Sequence, residues 1–577
     1  MPAHGGILTL QYLVRKTKIK FCLQYSAKRI VIPAMKLLPL LLLCVLNLCI
    51  LQNAGGQENR DTSNKVDVQI IKAEYQEYIQ TDTNSFNKLV GDVHLMQEGN
   101  SMYCDSAYVN LKTNNVEAFG NVMITQPDGT QAISDYLKYT GNKKLAYLQG
   151  NVSLTDGKDN LWATEVYYDM NTKIGIYSQG GTLQSDATTL TSNSGIYNLR
   201  TKDARFTEDV HVYDPEYKIV SDDMGYNTET KITTFFGASV ITSDSSVLVT
   251  HCGTYNSKLQ RAHFPCRSSI LTTEHYMEAD SMYYDKIVAF AKARGNVIAI
   301  DTVQDVTLYC QYADMDERRK TTLATVKPVL KKMNGEDSLF IRADTFFMAP
   351  VVPVKDSIKI VRTEGKGKNK KQVEIMIADS TAVEDTADQR YFIGYHHVKI
   401  FSDSMQGLCD SIAYSQQDSI LRMMYDPIVW SRKSQITGDT ILLYTDSNKL
   451  KKLYVPDKAF VASQSGPDKA QLFDQVQGKT LTGYFEDNSI KEVIVRPNAE
   501  AIQYSKDDND AYIGVNKASS ARMRVLFDNQ EISYIYFEQD VKQQMTPLDK
   551  ADLPNMKLSR FQWHEAKRPK SLKEIFE

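Results

Sequence analysis

From about residue 90 to 315 the chain alternates apolar and other residues in short runs, and the same run keeps returning. It opens on glycine, a small polar residue and valine: Gly91-Asp92-Val93, Gly120-Asn121-Val122, Gly150-Asn151-Val152 and Gly295-Asn296-Val297. The opening position steps through 91, 120, 150, 180, 208, 237, 266 and 295, an interval of about 29 residues. After each opening, apolar side chains fall on every second residue, as in Val122/Ile124, Val152/Leu154 and Val210/Val212. Period two predicts a half-buried strand. A turn such as Pro127-Asp128-Gly129 follows, then a second strand with an acidic and a tyrosine position, as in "CDSAYVN" and "EADSMYYD". Polar turns ("TGNKK", "RTKD", "TETK") close the units. Each unit therefore reads as two antiparallel strands, and the glycine as the corner between units.

Two further series keep the same beat. Tyr168, Tyr197, Tyr226, Tyr255 and Tyr284 stand 29 apart, with Tyr108 and Tyr139 taken as their upstream members. Asp105, Asp135, Glu165, Asn193, Asp222, His251 and Asp280 stand fifteen before the corners. Catalytic carboxylates form a singular constellation, whereas this position recurs on every unit. It is expected to be structural, bonding backbone amides at a strand start.

Beyond residue 316 the beat fails. Residues 316–390, with Pro350, Pro353 and the basic run "GKGKNKKQ", read as an irregular insertion. Strand signals resume over 391–545, and 546–577 form a polar tail read as an extended or helical cap. At the other end, residues 37–51 are a fifteen-residue apolar run, preceded by Lys36 and followed by Ala54-Gly55-Gly56. That is short for a membrane span and is laid out like a secretory signal. Residues 1–56 are thus expected to be a leader with an extended basic start, translation beginning at Met1 or Met35. Cys44 and Cys49 lack the preceding small residue of a lipoprotein signal.

Composition narrows the function. A net charge of −3 over 577 residues offers nucleic acid no basic surface. No GxSxG, HExxH or complete phosphate loop occurs, so neither an enzyme nor a cofactor is expected. Cys104, Cys252, Cys266, Cys310 and Cys409 remain after the leader, too scattered for a disulfide framework, with one optional bridge between Cys252 and Cys266. His251, Cys252, His263 and Cys266 could cluster, but His251 and Cys266 merely fill register positions, and no metal is expected.

Strand pairs opening on G-(N/D)-V-x-(I/L), each followed by a D-x-x-x-Y strand, resemble the OstA-like family of organic-solvent-tolerance proteins. That family includes the LptA bridge and the N-terminal domain of LptD. The resemblance covers 66–315 well and 391–545 more loosely, and it includes the tail "FQWHEAKRPKS". It implies an all-β fold: a twisted β-jellyroll, solenoid-like, of antiparallel strands. It also implies an exported module, periplasmic or associated with the outer membrane, that carries lipopolysaccharide with its acyl chains between two sheets. Strand alternation puts Val93, Leu95, Val122, Ile124, Val152, Leu154, Val210 and Val212 on the inward face, and these are the expected groove-lining residues. Exposed edge strands would pair with other lipopolysaccharide-transport components or with a second copy. The competing reading is a cell-surface β-solenoid, structural or glycan-binding, with a filled core and no lipid.

Overall fold

The computed structural model describes residues 66–577 apart from 82–84, 335–336, 352–356, 365–370, 379–388, 447–448, 467, 487–488, 508, 510 and 529–530. The expected leader and most of the basic run therefore lie outside the described residues. Among those described, strands dominate; helix is confined to three-residue turns and one short segment, Lys573–Phe576. No helix among them is long and apolar enough to cross a membrane. The chain is nearly all-β and antiparallel, like the jellyroll expected.

The first long strands are β1 (Ser85–Gln97), β2 (Asn100–Asn110), β3 (Asn115–Thr125), β4 (Gln131–Thr140), β5 (Leu145–Thr155) and β6 (Asp159–Asp169). Each runs through two walls of one large sheet. In β6, residues 159–163 pair with Gly181–Ser185, whereas 167–169 pair with Ile174–Tyr177. The halves thus lie in two walls that meet at a corner inside the strand. At the corner the register slips: Phe119 faces Tyr136, but Val122 faces Ser134. One extra residue bends the strand from one wall into the other.

The glycine–asparagine pair makes that bend. Gly120 and Asn121 both take positive φ, +72° and +43°. A Cβ on Gly120 would also meet Asp105 Oδ2 at 2.3 Å. Asn121 Nδ2 donates to that same Asp105 oxygen at 2.9 Å, and Asn151 donates to Asp135 at 2.8 Å. The acidic series therefore ties down corners, as a structural role requires. Its partners here are asparagine side chains of the next corner rather than the backbone amides expected. Gly120→Ala should cost about 2 kcal/mol, and Gly129→Ala, at φ +88° with nothing within 4 Å of its Cβ, only about 1 kcal/mol. Urea melts of the two variants check the difference; equal losses would remove the close approach from the argument.

Corners persist where glycine does not. Glu208-Asp209, Val326-Lys327, His396-His397 and Tyr425-Asp426 are all consecutive positive-φ pairs. Both walls accordingly continue past residue 316. Thr321–Thr325, Val329–Asn334, Asp337–Arg342 and Thr345–Pro350 extend them through the first half of the segment expected to be irregular. Sequence could not show this, because these corners carry no glycine signature. Within the described part of 351–389, Ser357–Glu364 pairs with Lys371–Ala378 in a separate two-stranded sheet.

The tail is not merely a polar end. It runs back across the outer face of the second wall, the wall that holds 159–163. Gln435, fully buried, donates to Gln562 O at 2.9 Å and accepts from His564 N at 2.8 Å. Gln475 does the same with Met556 O and Leu558 N, at 3.0 and 2.8 Å. Phe561 and Trp563 pack on Phe473 with ring centroids 5.2 and 4.9 Å away. Farther along, Arg568 donates to Gln406 Oε1, and Phe576 meets Tyr309 at 5.5 Å. The result is an extended strap held by glutamines that offer its backbone the bonds a neighbouring strand would.

Candidate functional site

The space between the walls is lined by inward rows, each taking one residue from successive strands. On the second wall the ladder runs Leu95, Met102, Ile124, Ala132, Leu154, Leu161, Leu183, Leu190, Val212 and Ile219. It continues through Ile241, Leu248, Ile270 and Met277 to Ala299. On the first wall the tier farthest from the corner alternates large and small residues: Tyr139, Ala146, Tyr168, Gly175, Tyr197, Ala204, Tyr226. The small residues leave room for their neighbours' rings.

All eight residues expected to line a groove sit on this inner face, each 3% exposed or less. They are Val93, Leu95, Val122, Ile124, Val152, Leu154, Val210 and Val212, part of one continuous core. In this stretch the walls are shut. Farther on, Ile241, Leu248, Ile270, Met277 and Ala299 are only half-buried, so solvent reaches the same ladder there. Sequence reading missed these five. The signal was available for three of them, because Ile241, Ile270 and Ala299 stand four residues after a corner position, as Ile124 and Leu154 do. Leu248 and Met277 are the partners of Ile241 and Ile270 on the second strand of each unit.

What shuts the first stretch is a seam along the edge opposite the corners, where turns of the two walls meet. Tyr139 Oη donates to Gln97 Oε1 at 2.6 Å, Tyr168 Oη to Gln126 Oε1 at 2.6 Å, and Tyr197 Oη to Asp159 Oδ2 at 3.0 Å. Burial pushes all three phenols well above their ordinary pKa. Beside them run four ion pairs: Lys144–Glu98, Lys173–Asp128 at 2.7 Å, Lys202–Asp156, and Lys231–Asp186 at 2.6 Å. Hydrogen bonding and charge from Lys231 hold the Asp186 carboxyl below its usual range. The half-buried stretch lies between the Tyr217–Tyr255 ring pair, 5.8 Å apart, and the Gln416–Gln304 bond at 3.2 Å.

Tyr108 does not belong to this ladder. Val109, fully buried, holds the inward place, and Tyr108 faces outward at 39% exposure. There it joins a row of outer rings, 5.4 Å from Phe86 and 6.1 Å from Phe119. The His251/Cys252/Cys266 cluster resolves as the optional bridge. The two sulfurs are bonded to each other, which removes them as metal ligands. Cys104, Cys310 and Cys409 are buried thiols, with burial raising their pKa to about 12, 11 and 12.

Corners, inward ladder and seam coincide with a sequence match: residues 65–222 fit the family described as OstA-like protein. Residues 65–222 are similar to OstA-like proteins. All eight expected lining residues and the first three phenol bonds of the seam fall inside that span. The chain is also 30% identical over 141 residues to LPS-assembly protein LptD of Nitrosomonas europaea, a match covering 23% of this chain and 19% of that one. It thus spans about a fifth of that relative's length. Among solved structures, LptH of Pseudomonas aeruginosa is described as the LptA-homologous periplasmic component of a lipopolysaccharide transport device. It aligns at 14% identity with a TM-score of 0.20, covering 25% of this chain and 95% of that one. The proteins matched are thus named for lipopolysaccharide assembly and transport. The half-buried stretch lies beyond the matched residues 65–222.

Proposed function

We propose that this protein is an exported, periplasmic carrier of lipopolysaccharide that holds acyl chains between its two walls on the way to the outer membrane. The observation that carries the reading is the unbroken aliphatic ladder along the inner face, shut over 85–232 and open to solvent over 241–299. Lipid enters at the open stretch. It reaches Val93, Leu95, Val122, Ile124, Val152, Leu154, Val210 and Val212 once the seam parts.

Magnitudes favour such opening. Each partly exposed ion pair is worth up to about 1 kcal/mol, and each phenol hydrogen bond about 1 kcal/mol. Burying one acyl chain of about twelve carbons gives roughly 10 kcal/mol. One chain therefore offsets the whole seam. Edge strands at either end would pass lipid to other transport components or to a second copy of this chain.

The test is a photoactivatable residue at Leu248, which faces inward, or at its neighbour Val249, 46% exposed on the outer face. Lipopolysaccharide labelling is expected at Leu248 and not at Val249. The near-complete burial of the eight residues favours a second reading, a structural or glycan-binding surface solenoid with a filled core. Absence of labelling at both positions would support that reading.

A further inference from the structure

Four lysines close the seam, and they stand 29 residues apart: Lys144, Lys173, Lys202 and Lys231. Each takes a left-handed turn position, with φ of 54°, 63°, 64° and 58°. Glycine or asparagine suits that position best. Asn114 fills it one turn earlier, and Gln260 and Ala289 fill it afterwards, at φ 60°, 51° and 55°. Lysine is thus not required by the turn. It appears over the shut stretch, is absent beside the open one, and returns beyond it at Lys320, φ 54°.

The ammonium groups point across the mouth of the channel, the place where the polar end of an amphiphile must lie when its tails are inside. Their partners are Glu98, Asp128, Asp156 and Asp186, from turns of the other wall. Polar side chains already support two of the four: Gln126 Oε1 accepts from Lys173 at 2.6 Å, and Ser185 Oγ accepts from Lys231 at 3.1 Å. When tails part the walls, each lysine loses its carboxylate and stands at the mouth as an uncompensated charge. A phosphate group, with up to two negative charges, replaces that carboxylate directly.

We propose that Lys144, Lys173, Lys202 and Lys231 are a ladder of phosphate sites for the headgroup of the carried amphiphile, and that the four carboxylates occupy those sites when no lipid is bound. This rests on the carrier reading and adds to it a preference for phosphorylated lipid.

The experiment compares binding of bisphosphorylated lipid A and of its enzymatically dephosphorylated form to the full exported chain. Wild type is expected to prefer the phosphorylated form by about tenfold, the gain of one or two partly screened ion pairs. Replacing all four lysines by glutamine should abolish the preference and, because the seam loses its ion pairs, should tighten rather than weaken binding of the dephosphorylated form. Neutralising the partners with Glu98→Gln, Asp128→Asn, Asp156→Asn and Asp186→Asn should strengthen binding of the phosphorylated form. The exchanged pair Lys202→Glu with Asp156→Lys keeps the seam bond and should weaken the preference, so the test survives if the fourfold variant does not fold. Excess inorganic phosphate should not compete; if it removes the preference, the sites take free phosphate and the headgroup assignment falls. A preference that survives lysine replacement, or equal binding of both forms by wild type, would make the ladder a structural latch only. Binding of neither form would overturn the carrier reading itself.

Discussion

Ile124→Arg is expected to collapse the shut stretch of the channel, whereas Ile270→Arg is expected to leave the fold standing. Both residues occupy the same inward ladder, four residues past a corner position. Ile124 is 1% exposed between Met102 and Ala132, with the opposite wall closed over it. A guanidinium there has neither water nor a counter-ion, and an unpaired buried charge should cost about 4 kcal/mol or more. Ile270 is half-buried between Leu248 and Met277, so its replacement can turn toward solvent, at a cost within about 1 kcal/mol. Thermal melts should therefore separate the two variants sharply. Lipopolysaccharide capture should fall in Ile270→Arg although its melt is nearly normal. Equal destabilisation would mean that the open stretch is as dry as the shut one, and lipid entry there would have to be abandoned.

Loosening the strap is the second large effect expected. Gln435→Leu keeps the volume but removes both bonds to the strap, leaving Gln562 O and His564 N without that partner beneath a buried surface. Each stranded backbone group costs about 1–3 kcal/mol, so the strap should lose roughly 2–4 kcal/mol of its attachment. Its departure would uncover Phe460, Phe473 and Ile502 on the outer face. The variant should be cut by protease between 556 and 568 at dilutions that leave the wild type whole, and it should aggregate at lower temperature. An unchanged digestion pattern would show that the aromatic anchors alone hold the strap.

How much of this was legible in the sequence depends on the distance over which each signal acts. The corners at Gly120-Asn121 and Gly150-Asn151 were legible, because positive φ favours glycine and asparagine and the next residues alternate visibly. Val326-Lys327 and His396-His397 make the same bend without that chemistry, so the walls past residue 316 looked irregular. The inward phase of Val93 through Val212 followed from period two alone, whereas the difference between shut and open stretches did not. It depends on Lys173 meeting Asp128 and Tyr168 meeting Gln126, pairs 45 and 42 residues apart that only the folded seam brings together. The lysines were present in the turns "TGNKK", "RTKD" and "TETK", but a basic residue in a polar turn usually means no more than solvation. Tyr108 was misplaced for a related reason: an off-beat spacing of 31 to Tyr139 put it on the opposite face. The tail hid its role because its anchors are glutamines in distant strands.

The central claim is that the walls hold acyl chains, and native mass spectrometry of protein purified from its host envelope tests it most directly. A bound species with the mass of a phosphorylated, multiply acylated lipid is expected, retained by wild type and lost from Ile270→Arg. Folded wild type recovered without lipid would contradict it.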